Sequence, residues 1–176
     1  MHINNMNLAK KILTWYDNNK RTLPWRISPK SKRSQYYRIL SEFMLQQTQV
    51  KTVIPYFNKF VKEVPNLKSL SSAGEKKILK LWEGLGYYNR ALNMLSAAKT
   101  IIKDYKGEFP VEYNRLIALK GVGAYTAAAI SSICNNEKKA VVDGNVYRLI
   151  SRLYNIHDPI NRIIGKKKVE HFANQL

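Results

Sequence analysis

The chain has 176 residues, 45% of them hydrophobic, enough for one medium-sized globular unit or for one domain with part of a second. Thirty Lys and Arg against 12 Asp and Glu leave a net charge of +18. That much unpaired positive charge favours an anionic partner, a polyphosphate first of all, unless an A+T-rich genome has simply filled surface positions with Lys, Asn and Ile. Cys134 is the sole cysteine, and the three histidines (His2, His157, His171) are scattered, which excludes an intrachain disulfide, a thiolate cluster and a zinc site.

Asn7, Lys10, Lys11 and Asp17 interrupt the N-terminal apolar residues, unlike a secretory signal, and no apolar run reaches membrane-spanning length. A reducing, cytoplasmic compartment is the expectation. In chain order, Leu8, Ile12, Trp15 and Tyr16 recur at i, i+4, i+7 and i+8 and predict a helix with one apolar face. Arg26 to Gln35, rich in Lys, Ser and Arg, is expected as a loop, and Lys30-Ser31-Lys32-Arg33 within it as a solvated basic stretch. Tyr37, Leu40, Met44 and Leu45 open a second helix, and Val50, Val53, Phe57, Phe60 and Val61 line a third. Pro55 is expected near a helix start or at a kink. Ser72 and Glu75 have capping-box spacing before Ile78, Leu79 and Trp82. Gly84 and Gly86 break the pattern, and Ala91, Leu95, Ala98 and Ile102 then predict a long helix ending before Gly107. Two helices flank Gly121-Val122-Gly123, one with Leu116 and Leu119, the other with Ala127, Ile130 and Ile133. Cys134 beside them is expected to be a small core residue. Asp143 is placed to cap a helix carrying Val146, Leu149 and Leu153, and a last helix is expected over Lys167 to Leu176. No stretch alternates long enough to be a strand, so the predicted fold is all-α.

The strongest local signal is Leu119-Lys120-Gly121-Val122-Gly123-Ala124-Tyr125-Thr126-Ala127. Two glycines around one apolar residue allow a tight turn and a close backbone approach, and N–H groups opening the second helix can hold a phosphate oxygen. Taken alone, Gly-X-Gly is also a common turn. Twenty residues after Gly123 stands Val141-Val142-Asp143-Gly144-Asn145-Val146, where an aspartate can be only a helix cap.

Three further stretches join these two: Leu23-Pro24-Trp25-Arg26, Ser41-Glu42-Phe43-Met44-Leu45-Gln46-Gln47-Thr48-Gln49-Val50 and Gly84-Leu85-Gly86-Tyr87-Tyr88. Together and in this order they resemble the MutY-type adenine glycosylases of the helix-hairpin-helix glycosylase superfamily. The resemblance runs from Trp15-Tyr16 to the last helix. It implies a six-helix barrel domain over residues 22–135, with the helix-hairpin-helix at 113–134, and a partial second lobe from residues 1–21 and 136–176. The implied activity is monofunctional removal of adenine mispaired with 8-oxoguanine or guanine in double-stranded DNA. Lyase cousins carry a nucleophilic lysine where Tyr125 stands here, and Lys120 lies on the wrong side of the glycines.

The resemblance makes Glu42 the acid that protonates adenine N7. Burial by neighbours such as Leu45 and Val50 is expected to raise its pKa. It makes Asp143 the carboxylate that stabilises the cationic sugar, the same division of labour as in glycoside hydrolysis, with Tyr125 hydrogen-bonding near the pair. It assigns Gln47 and Tyr87 to enter the duplex on the lesion side once the base is flipped, and Arg21, Trp25, Arg26, Leu45 and Val50 to the adenine pocket. Gly121, Val122 and Gly123 grip the DNA backbone, and Asn145 joins the DNA contacts. On composition alone Trp25 and Tyr87 are ordinary core aromatics. Relatives of this type continue into four cysteines that hold a [4Fe–4S] cluster. No cofactor is expected in this chain, and a cluster only if the protein continues beyond residue 176. A monomer is expected. Without that continuation Asp143 is expected to be poorly held, and the alternative is a catalytically impaired, DNA-binding remnant.

Overall fold

The computed structural model describes residues 5–28, 31 and 33–176, so Pro29, Lys30 and Lys32 of the basic stretch and His2 lie outside the described residues. Among those described, ten helices and no strand are present: α1 (Asn5–Asn19), α2 (Ser34–Leu45), α3 (Val50–Glu63), α4 (Leu67–Ser71), α5 (Glu75–Trp82), α6 (Asn89–Asp104), α7 (Tyr113–Leu116), α8 (Ala124–Asn135), α9 (Gly144–Leu153) and α10 (Ile163–Ala173). The all-α expectation holds. The chain divides into two compact units, Leu23–Glu137 with α2 to α8, and Met1–Thr22 together with Lys138–Leu176.

The first of these is built around a dense apolar core. Phe43, Val53, Phe57, Phe60, Ile78 and Trp82 are fully buried, each on the inward stripe of its own helix. Aromatic edges lock the layers: Phe57 meets Trp25 and Tyr37, each at 5.2 Å between ring centroids, at 64° and 88° between the ring planes. The Tyr36 hydroxyl donates to the Val64 carbonyl at 2.6 Å, so even the buried polar atom is satisfied. Pro55 sits inside α3, between its first and second turns, where it removes one helical N–H. It lies on the exposed side, so water can meet the carbonyl left over.

The second unit has a much thinner interior. Among the described residues, Ile150 of α9 and Val169 of α10 are its buried apolar side chains, backed by a Tyr154–Phe172 stack at 4.3 Å. The Asn174 side chain accepts from the Ala140 N–H at 2.9 Å, and Lys168 pairs with Asp158 at 2.6 Å. On α1 the apolar face expected from the spacing is largely exposed, Trp15 to 65%.

Several local expectations shift. Helix α5 is capped by Gly74 without a side-chain bond, not by Ser72. The Ser72 hydroxyl turns back to donate to Lys68 O and closes α4 instead. The reciprocal capping box belongs to Asn66 and Ser69 at the start of α4, where Asn66 accepts from the Ser69 N–H and Ser69 Oγ accepts from the Asn66 N–H. On α6 it is Ile101 that is buried while Ile102 faces out, one residue off the expected stripe. Ile133 at the end of α8 is exposed and Cys134 beside it is only half-buried, and Leu149 on α9 is exposed as well. Helix α2 begins at Ser34, inside the stretch expected as loop, and the last helix runs Ile163–Ala173 rather than Lys167 to Leu176.

Candidate active site

Glu42 lies on α2 between buried Ser41 and Phe43, and its own side chain is largely enclosed. Burial disfavours the anion and pushes its pKa up to about 7, against a smaller opposing pull from Arg38 one helical turn earlier. Near neutral pH this carboxyl is therefore divided between acid and base forms, as a proton donor requires. The Cys134 thiol, nearby on α8, is itself pushed up, first by burial, with Arg38 lowering it and Glu42 raising it. Leu45 ends α2 and Val50 begins α3, both half-buried against the core beside this carboxyl's helix.

The hairpin joins α7 to α8 through Gly121-Val122-Gly123. Leu119 and Val122 plug into the core, which turns the two glycines outward. Gly121 has φ +80, and a Cβ there would sit 2.5 Å from Asn93 Cβ, so both backbone and packing demand glycine. Gly123 differs, since a Cβ on it would meet nothing within 4 Å. Its bare backbone opens outward at the N-cap of α8, whose first N–H groups need partners. Tyr125 follows in the first turn of α8, 46% exposed. Gln46 ties α2 to this hairpin, its Nε2 donating to Gly121 O at 3.3 Å and Thr126 Oγ1 at 3.4 Å.

The aromatic assignments separate. Trp25 is only 5% exposed and packs edge-on against Phe57. Tyr87 is 63% exposed. Gln47 is exposed as well, and both residues hold left-handed backbone, at φ +55 and +49 for Gln47 and Tyr87. Such a conformation costs a residue with a Cβ about 1–2 kcal/mol and persists only where the surroundings enforce it. Both turns meet Arg90, which sequence reasoning did not single out. Its Nη1 donates to the carbonyls of Phe43, Met44 and Gln46, and its Nη2 to those of Leu85 and Gly86. The available signal was a cation on the otherwise apolar stripe Ala91, Met94, Leu95 and Ala98. Arg26 is exposed at the end of the Leu23-Pro24-Trp25 turn.

In the second unit Asp143 is the N-cap of α9. Its Oδ1 accepts from the Asn145 and Val146 N–H groups at 2.9 and 2.8 Å, and its Oδ2 from Asn145 Nδ2 at 3.1 Å. Asn145 Oδ1 accepts in turn from Arg148 at 2.6 Å. The cap thus holds the carboxylate from within its own helix end. Arg21, from the same unit, is exposed beyond the end of α1.

One cysteine cannot supply the four thiolates of a [4Fe–4S] cluster, and no group of three His, Cys, Asp or Glu converges among the described residues. No described helix is long and apolar enough to cross a membrane.

Residues 40–175 match the family described as HhH-GPD superfamily base excision DNA repair protein. An adenine DNA glycosylase of Buchnera aphidicola is 44% identical over 163 residues, which is 92% of this chain and 44% of that protein. One from Mus musculus is 42% identical over 160 residues, 88% of this chain and 31% of that protein. The chain thus spans less than half the length of these curated relatives. Among solved structures, a thermostable thymine-DNA glycosylase superposes with a TM-score of 0.81 at 27% identity, covering 97% of this chain and 76% of that one. With the family matched across both units and the fold shared nearly end to end, the chain belongs to the HhH-GPD superfamily of base excision DNA repair proteins.

Proposed function

We propose that the chain is the catalytic part of an adenine DNA glycosylase, hydrolysing the N-glycosidic bond of adenine mispaired with 8-oxoguanine or guanine in double-stranded DNA. The observation that carries this reading is Glu42, a buried carboxyl that keeps its proton up to about pH 7. A protonated carboxyl is what a purine leaving group needs, since neutralising the base makes its bond to the sugar easier to break. Adenine is favoured as the base by the adenine DNA glycosylases at 44% and 42% identity, against 27% for the thymine-DNA glycosylase.

In this mechanism the adenine is extruded from the stack and Glu42 gives its proton to N7. The bond from the sugar C1′ to N9 breaks, and its electron pair leaves with the base. The cationic sugar is stabilised by Asp143, whose anion the α9 N-terminus already holds. Water then adds to C1′ and gives up a proton that restores Glu42, leaving an abasic site and free adenine. Tyr125 supplies a hydrogen-bonding group beside the base. With tyrosine rather than lysine at that position no Schiff base forms, so the strand stays intact. Gly123 and the first N–H groups of α8 receive a backbone phosphate. The protein acts as a monomer in a reducing, cytoplasmic compartment, and any [4Fe–4S] cluster is held by cysteines outside these 176 residues.

The test is a duplex carrying one adenine opposite 8-oxoguanine, treated with alkali after incubation. Strand breakage at the adenine only after alkali is expected, falling by about 10²–10⁴-fold in Glu42→Gln and lost in Asp143→Asn. Duplex binding without base release by the unmutated chain overturns the proposal and favours a DNA-binding remnant.

A further inference from the structure

Arg90 is a cation sealed away from water at 7% exposure. No carboxylate pairs with it among the described residues, and its Nε is buried without a partner. Burying a charge this way is expensive, and for packing alone an apolar side chain of similar volume does as well or better. What the guanidinium does receive is five backbone carbonyls from two segments far apart in sequence. Phe43, Met44 and Gln46 come from the last turn of α2 and its C-cap, where carbonyls have lost their helical partners. Leu85 and Gly86 come from the turn after α5. The guanidinium also lies 5.5 Å from the Trp82 ring centroid and 5.3 Å from that of Tyr87.

Immediately after each bonded segment stands a residue with left-handed backbone and an exposed side chain, Gln47 after Gln46 and Tyr87 after Gly86, two of five such non-glycine positions among the described residues. A planar fork with donors on both sides can hold two turns at a fixed mutual distance, which a single ammonium cannot. We propose that Arg90 is a positioning residue that couples the Gln47 and Tyr87 turns into one rigid wedge, so that extrusion of the target base depends on it while general affinity for duplex DNA does not. The inference rests on the reading of Gln47 and Tyr87 as the side chains that enter the duplex.

Three measurements on Arg90→Lys test it, with Arg90→Gln, neutral but still a donor, in parallel in case the lysine variant folds poorly. In the free protein, amide hydrogen exchange is expected to speed up together at residues 45–48 and 85–88 while α3 and α6 stay protected. Loosening of only one turn, or of the whole unit, overturns the coupling. In the complex, the fluorescence rise of 2-aminopurine placed opposite guanine reports extrusion. We expect it to slow by about tenfold or more while affinity for an undamaged duplex changes by less than about twofold. Equal losses of affinity and extrusion would mark an ordinary stabilising residue. In a Gln47→Ala/Tyr87→Leu background the same Arg90 change should add little, within about twofold, since the wedge it serves is gone. A fully additive loss there overturns the proposal. Extrusion by the parent chain without adenine release would sink the glycosylase reading and leave the Arg90 inference standing, whereas no extrusion at all would sink the wedge.

Discussion

The two units invest their residues differently. Leu23–Glu137 buries most of the large apolar side chains of the chain and pays for a buried carboxyl and a buried guanidinium within that core. Among its described residues, the unit formed by residues 1–22 and 138–176 buries little beyond Ile150 and Val169, and it holds the Asp143 carboxylate by hydrogen bonds. Glu42 is thus tuned by desolvation. The Asp143 carboxylate instead accepts from the backbone N–H groups that open α9.

The largest effect that could break this contrast lies in the core. Phe57, fully buried and touching Trp25 and Tyr37 edge-on, should cost about 3–5 kcal/mol on change to alanine. Trp15 on the exposed face of α1 should cost less than about 0.5 kcal/mol. Comparable losses in urea unfolding would erase the distinction between a dense unit and a thin one.

The next effect concerns pH. Folded Glu42 keeps its proton to about pH 7, whereas the unfolded chain releases it near the ordinary value of 4.5. Between those values the native state binds the extra proton, so this group makes stability fall as pH rises through the window and adds no slope above it. Glu42→Gln should remove the slope and stabilise the chain at pH 8, relative to pH 4, by roughly 1–3 kcal/mol. Parallel unfolding curves for parent and variant at both pH values would mean that Glu42 is solvated.

The smallest effect sharpens the other side. Asp143→Ala removes the α9 cap and should destabilise by about 1 kcal/mol, while Asp143→Asn, still able to accept from the Val146 N–H, should lose only a few tenths. Equal losses in the two variants, followed by thermal unfolding, would show that charge rather than capping holds this end of α9.

Much of this was legible in the sequence, because helical periodicity is a short-range property. Trp82, Leu95 and Ile130 fell on buried stripes as their spacing required. Asp143 before Gly144-Asn145-Val146 announced its cap. The failures came where competing local partners decide the outcome. Ser72 and Glu75 had capping spacing, yet the Ser72 hydroxyl found Lys68 O behind it. Asn66 and Ser69, equally well spaced, took the capping box. Arg90 was illegible for a different reason. An arginine becomes a buried clamp only when carbonyls more than 40 positions away arrive around it, as the Met44–Arg90 bond at a separation of 46 shows. The strain at Gln47 and Tyr87 is likewise a product of assembly, since neither residue type asks for left-handed backbone.

Because the Asp143 carboxylate also caps α9, any lineage that needs only the folded chain still has a reason to keep that aspartate. Its presence would outlive the loss of activity, like a beam left in a disused building. Glu42 has no such second employment: ionised, it weakens the fold that carries it. Under drift alone that position should be among the first to be replaced by something apolar. An intact glutamate there is therefore the better record of recent selection for chemistry, and the aspartate the better record of selection for shape.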